Sequence, residues 1–185
     1  MSIKAELHGV WGLGAAKAIC AALETIRPDW VEDPIWMDRT ADIAELTAST
    51  RAPLAGGETL GGLGQLRELI AVARIGTPII DLTWGGGVTF ARKAAALAEA
   101  FAEPIAFDDC SRTVTLTLST HLAMARPNVT GEITRASYYG ATTSAWTGCP
   151  RSNRAASVLQ KARCAASRPP SAPLCGDPYR RVVNR

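Results

Sequence analysis

The chain has 185 residues, with 20 Lys and Arg against 17 Asp and Glu and a formal net charge of +3. That length suits one domain of ordinary size, and no apolar run reaches the roughly 18 residues that a membrane-spanning helix needs. Five cysteines, at 20, 110, 149, 164 and 175, form no CxxC pair or metal-ligand spacing, which predicts a reducing, cytoplasmic setting. Residues 1–17 show no charged start followed by a long apolar core, so no secretory signal is expected.

The elements alternate in chain order. Ile3–Leu7 reads as a first short strand, with His8-Gly9 as its turn. Ala15–Ile26 has helical periodicity and stops before Pro28. Trp30-Val31 is a second strand ending at Glu32, and Asp33-Pro34 is a turn signal. A helix over Ala41–Thr47, a strand over Pro53–Glu58 and a helix over Gln65–Ala73 follow. The fourth strand is Pro78–Thr83, and Gly85-Gly86-Gly87 is a tight strand–helix connection rather than a phosphate cradle. Val88–Ala102 is the clearest helix, Pro104–Phe107 a fifth strand ending at Asp108, Val114–Ala125 a helix and Val129–Thr134 a sixth strand. Strand–helix alternation of this kind predicts a parallel sheet or barrel.

The acids fall in phase with that alternation. Glu6, Glu32 and Glu58 are spaced 26 residues apart, and Asp81 and Asp108 follow after 23 and 27. One βα unit takes about this many residues. In a (β/α) barrel the C-terminal ends of the strands share one face. The spacing therefore predicts carboxylates converging there to hold a hard cation. The fold expected is α/β, an incomplete (β/α) barrel of TIM type with about six βα units, because a whole eight-stranded barrel needs about 250 residues.

Residues 141–185 are different material. They carry eight Lys and Arg against a single acid, Asp177, for a charge of +7, while residues 1–140 carry −4. Periodicity fails after Gly140, and Ser167-Arg-Pro-Pro-Ser-Ala-Pro173 promises no core. Two domains are read: a partial barrel over 1–140, and an irregular basic tail over 141–185 that is out of frame or disordered.

Glu-Asp-Pro at 32–34, Gly-Gly-Glu-Thr at 56–59, Asp81 with Trp-Gly-Gly-Gly behind it, and Ala-Phe-Asp-Asp-Cys at 106–110 together resemble the enolase superfamily. The mandelate racemase and muconate lactonizing enzyme group is the nearest likeness, over roughly residues 3–140. The resemblance implies an α+β capping domain ahead of a modified barrel. It implies Mg²⁺ ligands at Glu6, Glu32 and Glu58, with Glu6 where Asp is usual. Oxygen ligands of this kind suit Mg²⁺. Asp81 matches a sixth-strand Asp that pairs with a seventh-strand His. The seventh strand commonly reads Ala-Pro-His-Asp-Cys, and here Phe107 and Asp108 replace Pro and His. Glu132 matches an eighth-strand Glu that helps to bind the intermediate.

Leu-His-Gly after Glu6 is similar to sugar-acid dehydratases of the galactonate type, which implies that His8 protonates a departing hydroxyl. The other reading of His8 is a turn histidine. On a strand His8 would face the same side as Glu6. His121 reads as helix packing. The family's second-strand Lys has no counterpart, and the two preceding strands and the capping domain are expected to be missing.

The resemblance implies a Mg²⁺-dependent acid-sugar dehydratase or racemase, acting by α-proton abstraction and enediolate stabilisation on a small carboxylate substrate such as an acid sugar. Family members are often homo-oligomeric. The chain alone is expected to be inactive, and the alternative is a non-catalytic truncated or degenerate barrel fragment. No membrane partner is expected. Nucleic-acid binding through the tail ranks last, since only Trp146 and Tyr179 could stack on bases.

Overall fold

A computed structural model describes residues 3–109, 113–133, 151–153 and 156–158. Six parallel strands, β1 (Lys4–Glu6), β2 (Trp30–Glu32), β3 (Leu54–Gly56), β4 (Thr77–Asp81), β5 (Ile105–Asp108) and β6 (Val129–Ile133), lie side by side in sequence order. Helices α1 (Leu13–Leu23), α2 (Thr40–Ser49), α3 (Leu63–Ala71), α4 (Leu82–Gly85), α5 (Gly87–Ala100) and α6 (Thr113–Met124) alternate with them. The result is a curled half-barrel, the incomplete (β/α) barrel that the alternation predicts.

The strands sort their residues onto two faces by the period of two. Val31, Leu54, Ile80, Ile105 and Phe107 point to the helices and are buried there. Trp30, Ala55, Ile79 and Ala106 form a separate cluster on the concave face. The helix layer has two cores. One packs Ala16 and Cys20 of α1 and Ile43 and Leu46 of α2 against β2 and β3. The other packs Leu66 and Ile70 of α3 and Ala91, Ala94, Ala95 and Ala98 of α5 around Phe107. The alanine stripe lets α5 approach the sheet closely. Burial pushes the Cys20 thiol pKa up and the Glu24 charge adds to this, so the thiol is unreactive packing material.

α6 is rich in Thr and Ser yet buried. Ser119 Oγ donates to the Thr115 carbonyl at 2.9 Å and Thr120 Oγ1 to the Leu116 carbonyl at 2.7 Å. These bonds to the preceding turn satisfy the hydroxyls inside the helix and let it bury a polar face. The buried Asp109 carboxylate is a second acceptor within reach of the same Ser119 hydroxyl.

Element boundaries shift by one to three residues from the sequence reading, and two strand ends that stop two residues early have local causes. The third strand ends at Gly56, not Glu58, because Gly56 (φ 151°) and Gly57 (φ 108°) turn the backbone out of the ladder. The fourth strand ends at Asp81, and Leu82–Gly85 is a helical turn instead of strand and loop. Its cause is Asp81, whose carboxylate caps the turn by accepting from Thr83 N (2.5 Å) and Trp84 N (3.4 Å).

In the tail, Arg151–Asn153 (β7) and Ala156–Val158 (β8) pair antiparallel. The out-of-frame or disordered reading covers all of residues 141–185, whose other residues lie outside the described ones. Among the described residues no helix is long and apolar enough to cross a membrane.

Candidate metal centre

The carboxylates gather at the C-terminal ends of the strands. Glu6 and Glu32 close β1 and β2 as register partners. Glu58 comes two residues after β3, carried by the Gly56–Gly57 turn. Asp81 and Asp108 close β4 and β5, again as register partners.

His8 reaches the same place by a route other than the strand geometry expected of it. Strand β1 ends at Glu6, and His8 (φ 56°) and Gly9 (φ 68°) form a left-handed turn. The His8 backbone N–H then donates to Glu6 Oε1 at 2.5 Å. Its Nδ1 lies 3.7 Å from Glu6 Oε1 and 4.0 Å from Glu58 Oε1, so the imidazole stands between two of the acids.

Glu32 is buried, 4% exposed. Its Oε2 accepts from Trp30 Nε1 at 3.1 Å. Its Oε1 is buried with no hydrogen-bond donor. Burial, reinforced by the Glu6 charge, pushes Glu32 up to about 9, and the Trp30 N–H opposes this. Glu6 is close enough to share a proton with Glu32. Only when one of the two is protonated does the contact become a hydrogen bond. With both ionised, Glu32 Oε1 has no donor.

Glu58 is pushed up to about 8, first by burial and then by the charge of Asp108 and a hydrogen bond shared with it. Asp33, beside Glu32, is raised to about 6 by burial, against the pull of a hydrogen bond from Gly57 N. Such clusters resist joint ionisation, because each new charge is placed beside existing ones in a poorly solvated site.

Among the described residues, no three His, Cys, Asp or Glu side chains stand as a ready-made metal cage. The chemistry nonetheless fits a hard divalent ion. The donors are carboxylate oxygens, they repel one another, and the buried Glu32 Oε1 lacks a partner that a cation would supply. Glu6, Glu32 and Glu58 are the residues that would hold it.

The remaining sequence candidates separate. Asp81 is buried, and its carboxylate caps α4. The Asp108 charge and a hydrogen bond with it help to raise Glu58. Glu132 lies on β6 in register with Phe107, while Ile133 is the residue level with Asp108. His121 is on α6, away from the strand ends.

Two residues of the site were not picked out from sequence. Trp30 donates to Glu32, and period-two spacing on one strand is the signal that links them. Asp33 stood in the Glu-Asp-Pro motif without a role.

Known proteins share this sequence pattern and fold. The enolase C-terminal domain-like family model matches residues 2–144. D-galactonate dehydratase from Xanthomonas oryzae pv. oryzae is 35% identical over 96 residues, which is 52% of this chain and 25% of that protein. The chain thus spans about a quarter of the length of the curated relatives it matches. An enolase protein from environmental sequencing of the Sargasso Sea superposes with a TM-score of 0.78 at 37% identity, covering 92% of this chain and 44% of its own. An enolase of the mandelate racemase subgroup from Agrobacterium tumefaciens gives 0.83 at 32% identity, covering 91% and 46%. An enolase from Pantoea ananatis, crystallised with D-gluconate and Mg, shares the fold at a TM-score of 0.83 and 19% identity, covering 91% and 41%. This chain belongs to the enolase superfamily, in its mandelate racemase and muconate lactonizing enzyme group.

Proposed function

We propose that the chain carries the cation-binding face of a Mg²⁺-dependent acid-sugar dehydratase. The observation that carries this reading is the convergence of Glu6, Glu32, Glu58 and His8 on one face, with Glu32 Oε1 buried and lacking a donor. The likeness to D-galactonate dehydratases supports the substrate class, a small polyhydroxy carboxylate. When bound, Mg²⁺ supplies Lewis-acid neutralisation of a substrate carboxylate, which acidifies the neighbouring C–H.

The residues then divide the work. Glu6, Glu32 and Glu58 provide the negative charge that holds the cation. His8, exposed at the rim and flanked by Glu6 and Glu58, is placed to give a proton to a departing hydroxyl. The electron pair freed at the α-carbon forms the new C=C bond as the C–O bond at the β-carbon breaks. The hydroxyl leaves as water once it has taken the proton from His8. Asp108 stands at the strand end where the family carries a His, and it is the available base for the α-proton. Its carboxylate is engaged with Glu58, and a cation held by Glu58 would release it.

A second reading, cation binding without turnover, is favoured by that same Glu58–Asp108 contact, which occupies the proposed base. Calorimetry with MgCl₂, followed by assay against a panel of acid sugars, separates the readings. Binding plus 2-keto-3-deoxy product supports dehydration. Binding with no product from any sugar, in the wild type and in Asp108→His alike, supports the second. Absence of Mg²⁺ binding ends both.

A further inference from the structure

We propose that Asp33 is a positioning residue that fixes how far the loops bearing Glu58 and His8 stand from Glu32. The inference rests on the metal-binding reading of those carboxylates. Asp33 directly follows Glu32 and takes a left-handed φ of 38°, a conformation open to few residues besides Gly, Asn and Asp. From there it makes three bonds to two neighbouring strand ends. Its N–H donates to the Ala55 carbonyl of β3 at 3.0 Å. Its carbonyl accepts from Gly9 N at 2.6 Å, anchoring the turn that carries His8. Its Oδ1 accepts from Gly57 N at 2.9 Å, the residue before Glu58.

The surroundings are shaped for this carboxylate. A Cβ on Gly56 would lie 2.0 Å from Asp33 Oδ1 and 2.8 Å from Met37 Cε. Gly56 is therefore needed twice, for its φ of 151° and for the space that its missing side chain leaves to Asp33. Asp33 is 6% exposed, and its Oδ1 is committed to a backbone N–H. This geometry suits a brace between loops.

Three variants of the full chain test the proposal, Asp33→Asn, Asp33→Ala and Gly56→Ala. Two readouts are used, amide hydrogen exchange at Gly57 by NMR without metal, and Mn²⁺ affinity by electron paramagnetic resonance. Asp33→Asn keeps an oxygen for Gly57 N–H but loses the charge. It should stay within about threefold of wild type in both. Asp33→Ala should speed Gly57 exchange and weaken Mn²⁺ binding, each by about tenfold or more. Gly56→Ala, which displaces the carboxylate without removing it, should reproduce the exchange effect, and it serves should Asp33→Ala not fold.

Mn²⁺ affinity lost equally in Asp33→Asn and Asp33→Ala, with Gly57 still protected, would show that Asp33 acts by its charge and overturn the proposal. Unchanged Gly57 exchange in Asp33→Ala would overturn it too. If the wild type binds no Mn²⁺, the metal reading fails separately, and Gly57 exchange in the three variants still decides whether Asp33 braces the loop.

Discussion

Glu58 and Asp108 meet carboxyl to carboxyl, one on the loop after β3 and the other at the end of β5, and share a hydrogen bond. Two acids can do this only while one retains its proton. Asp108→Asn removes the second charge and offers amide N–H donors. The Glu58 pKa should then fall from about 8 by roughly a unit or more. Carbon-13 NMR of the Glu58 carboxyl across a pH titration checks this, and an unmoved midpoint would mean that burial alone holds it up.

Stability should fall as pH rises through neutrality. Glu32 and Glu58 are raised in the folded chain, from 4.5 to about 9 and about 8. The folded state therefore keeps protons that the unfolded state releases. Their contribution is complete below pH 4.5 and is lost progressively up to those folded values. Asp33 adds to this between 3.8 and about 6. Each retained proton gives a slope of about 1.4 kcal/mol per pH unit. Thermal unfolding without metal should show Tm decreasing from pH 5 to pH 8. Added MgCl₂ should recover Tm at pH 8, since a cation held by native carboxylates stabilises only the folded state.

Glu32→Gln should separate stability from binding. The amide keeps an oxygen for Trp30 Nε1 and is neutral without the proton that Glu32 must retain to be buried. At pH 8 the metal-free variant should be more stable than wild type by about 1–3 kcal/mol. Its Mg²⁺ affinity should drop by about tenfold or more if Glu32 is one of the three proposed anionic ligands. Urea unfolding and calorimetry measure the two effects on one sample.

The tail carries its own prediction, that residues from about 141 onward are translated out of frame. The family continues beyond its eighth strand to a Pro-Glu-Gly-Pro signature, and Leu159–Arg163, back-translated with codons ending in G or C, permits it in the shifted frame. The family match stops at residue 144, and the acidic body gives way to a basic tail at about the same place. Sequencing the coding DNA checks the proposal. Codons that fail to give Pro-Glu-Gly-Pro in the alternate frame would leave a genuine disordered tail as the explanation.

Much of the architecture was legible because it is periodic. Strand-end acids at 26-residue spacing, and helices whose apolar residues repeat at helical intervals, are one-dimensional traces of a repeating βα unit. The six strands follow that reading to within a few residues at each end. Local backbone events were less legible. The end of β3 depends on the positive φ of Gly56 and Gly57, and the turn after β4 depends on a cap by Asp81, for which no periodicity exists. His8 shows the limit most plainly. Its neighbourhood with Glu6 was expected from strand alternation, yet a left-handed turn produces it. Asp33 stayed without a role because its partners, Gly9 and Gly57, are brought to it only by folding.

The environment of Trp30 has an optical consequence. Its indole ring lies 3.9 Å beneath the Lys4 ammonium, while its N–H is bonded to Glu32. Trp11, Trp36 and Trp84 are exposed to solvent, so among the described residues Trp30 is the buried indole. A cation above the ring and a carboxylate at its edge make the emission energy of that indole sensitive to nearby charge. Blue-edge fluorescence, followed as divalent ions or protons are added, would therefore report the ionisation of Glu32 without any label.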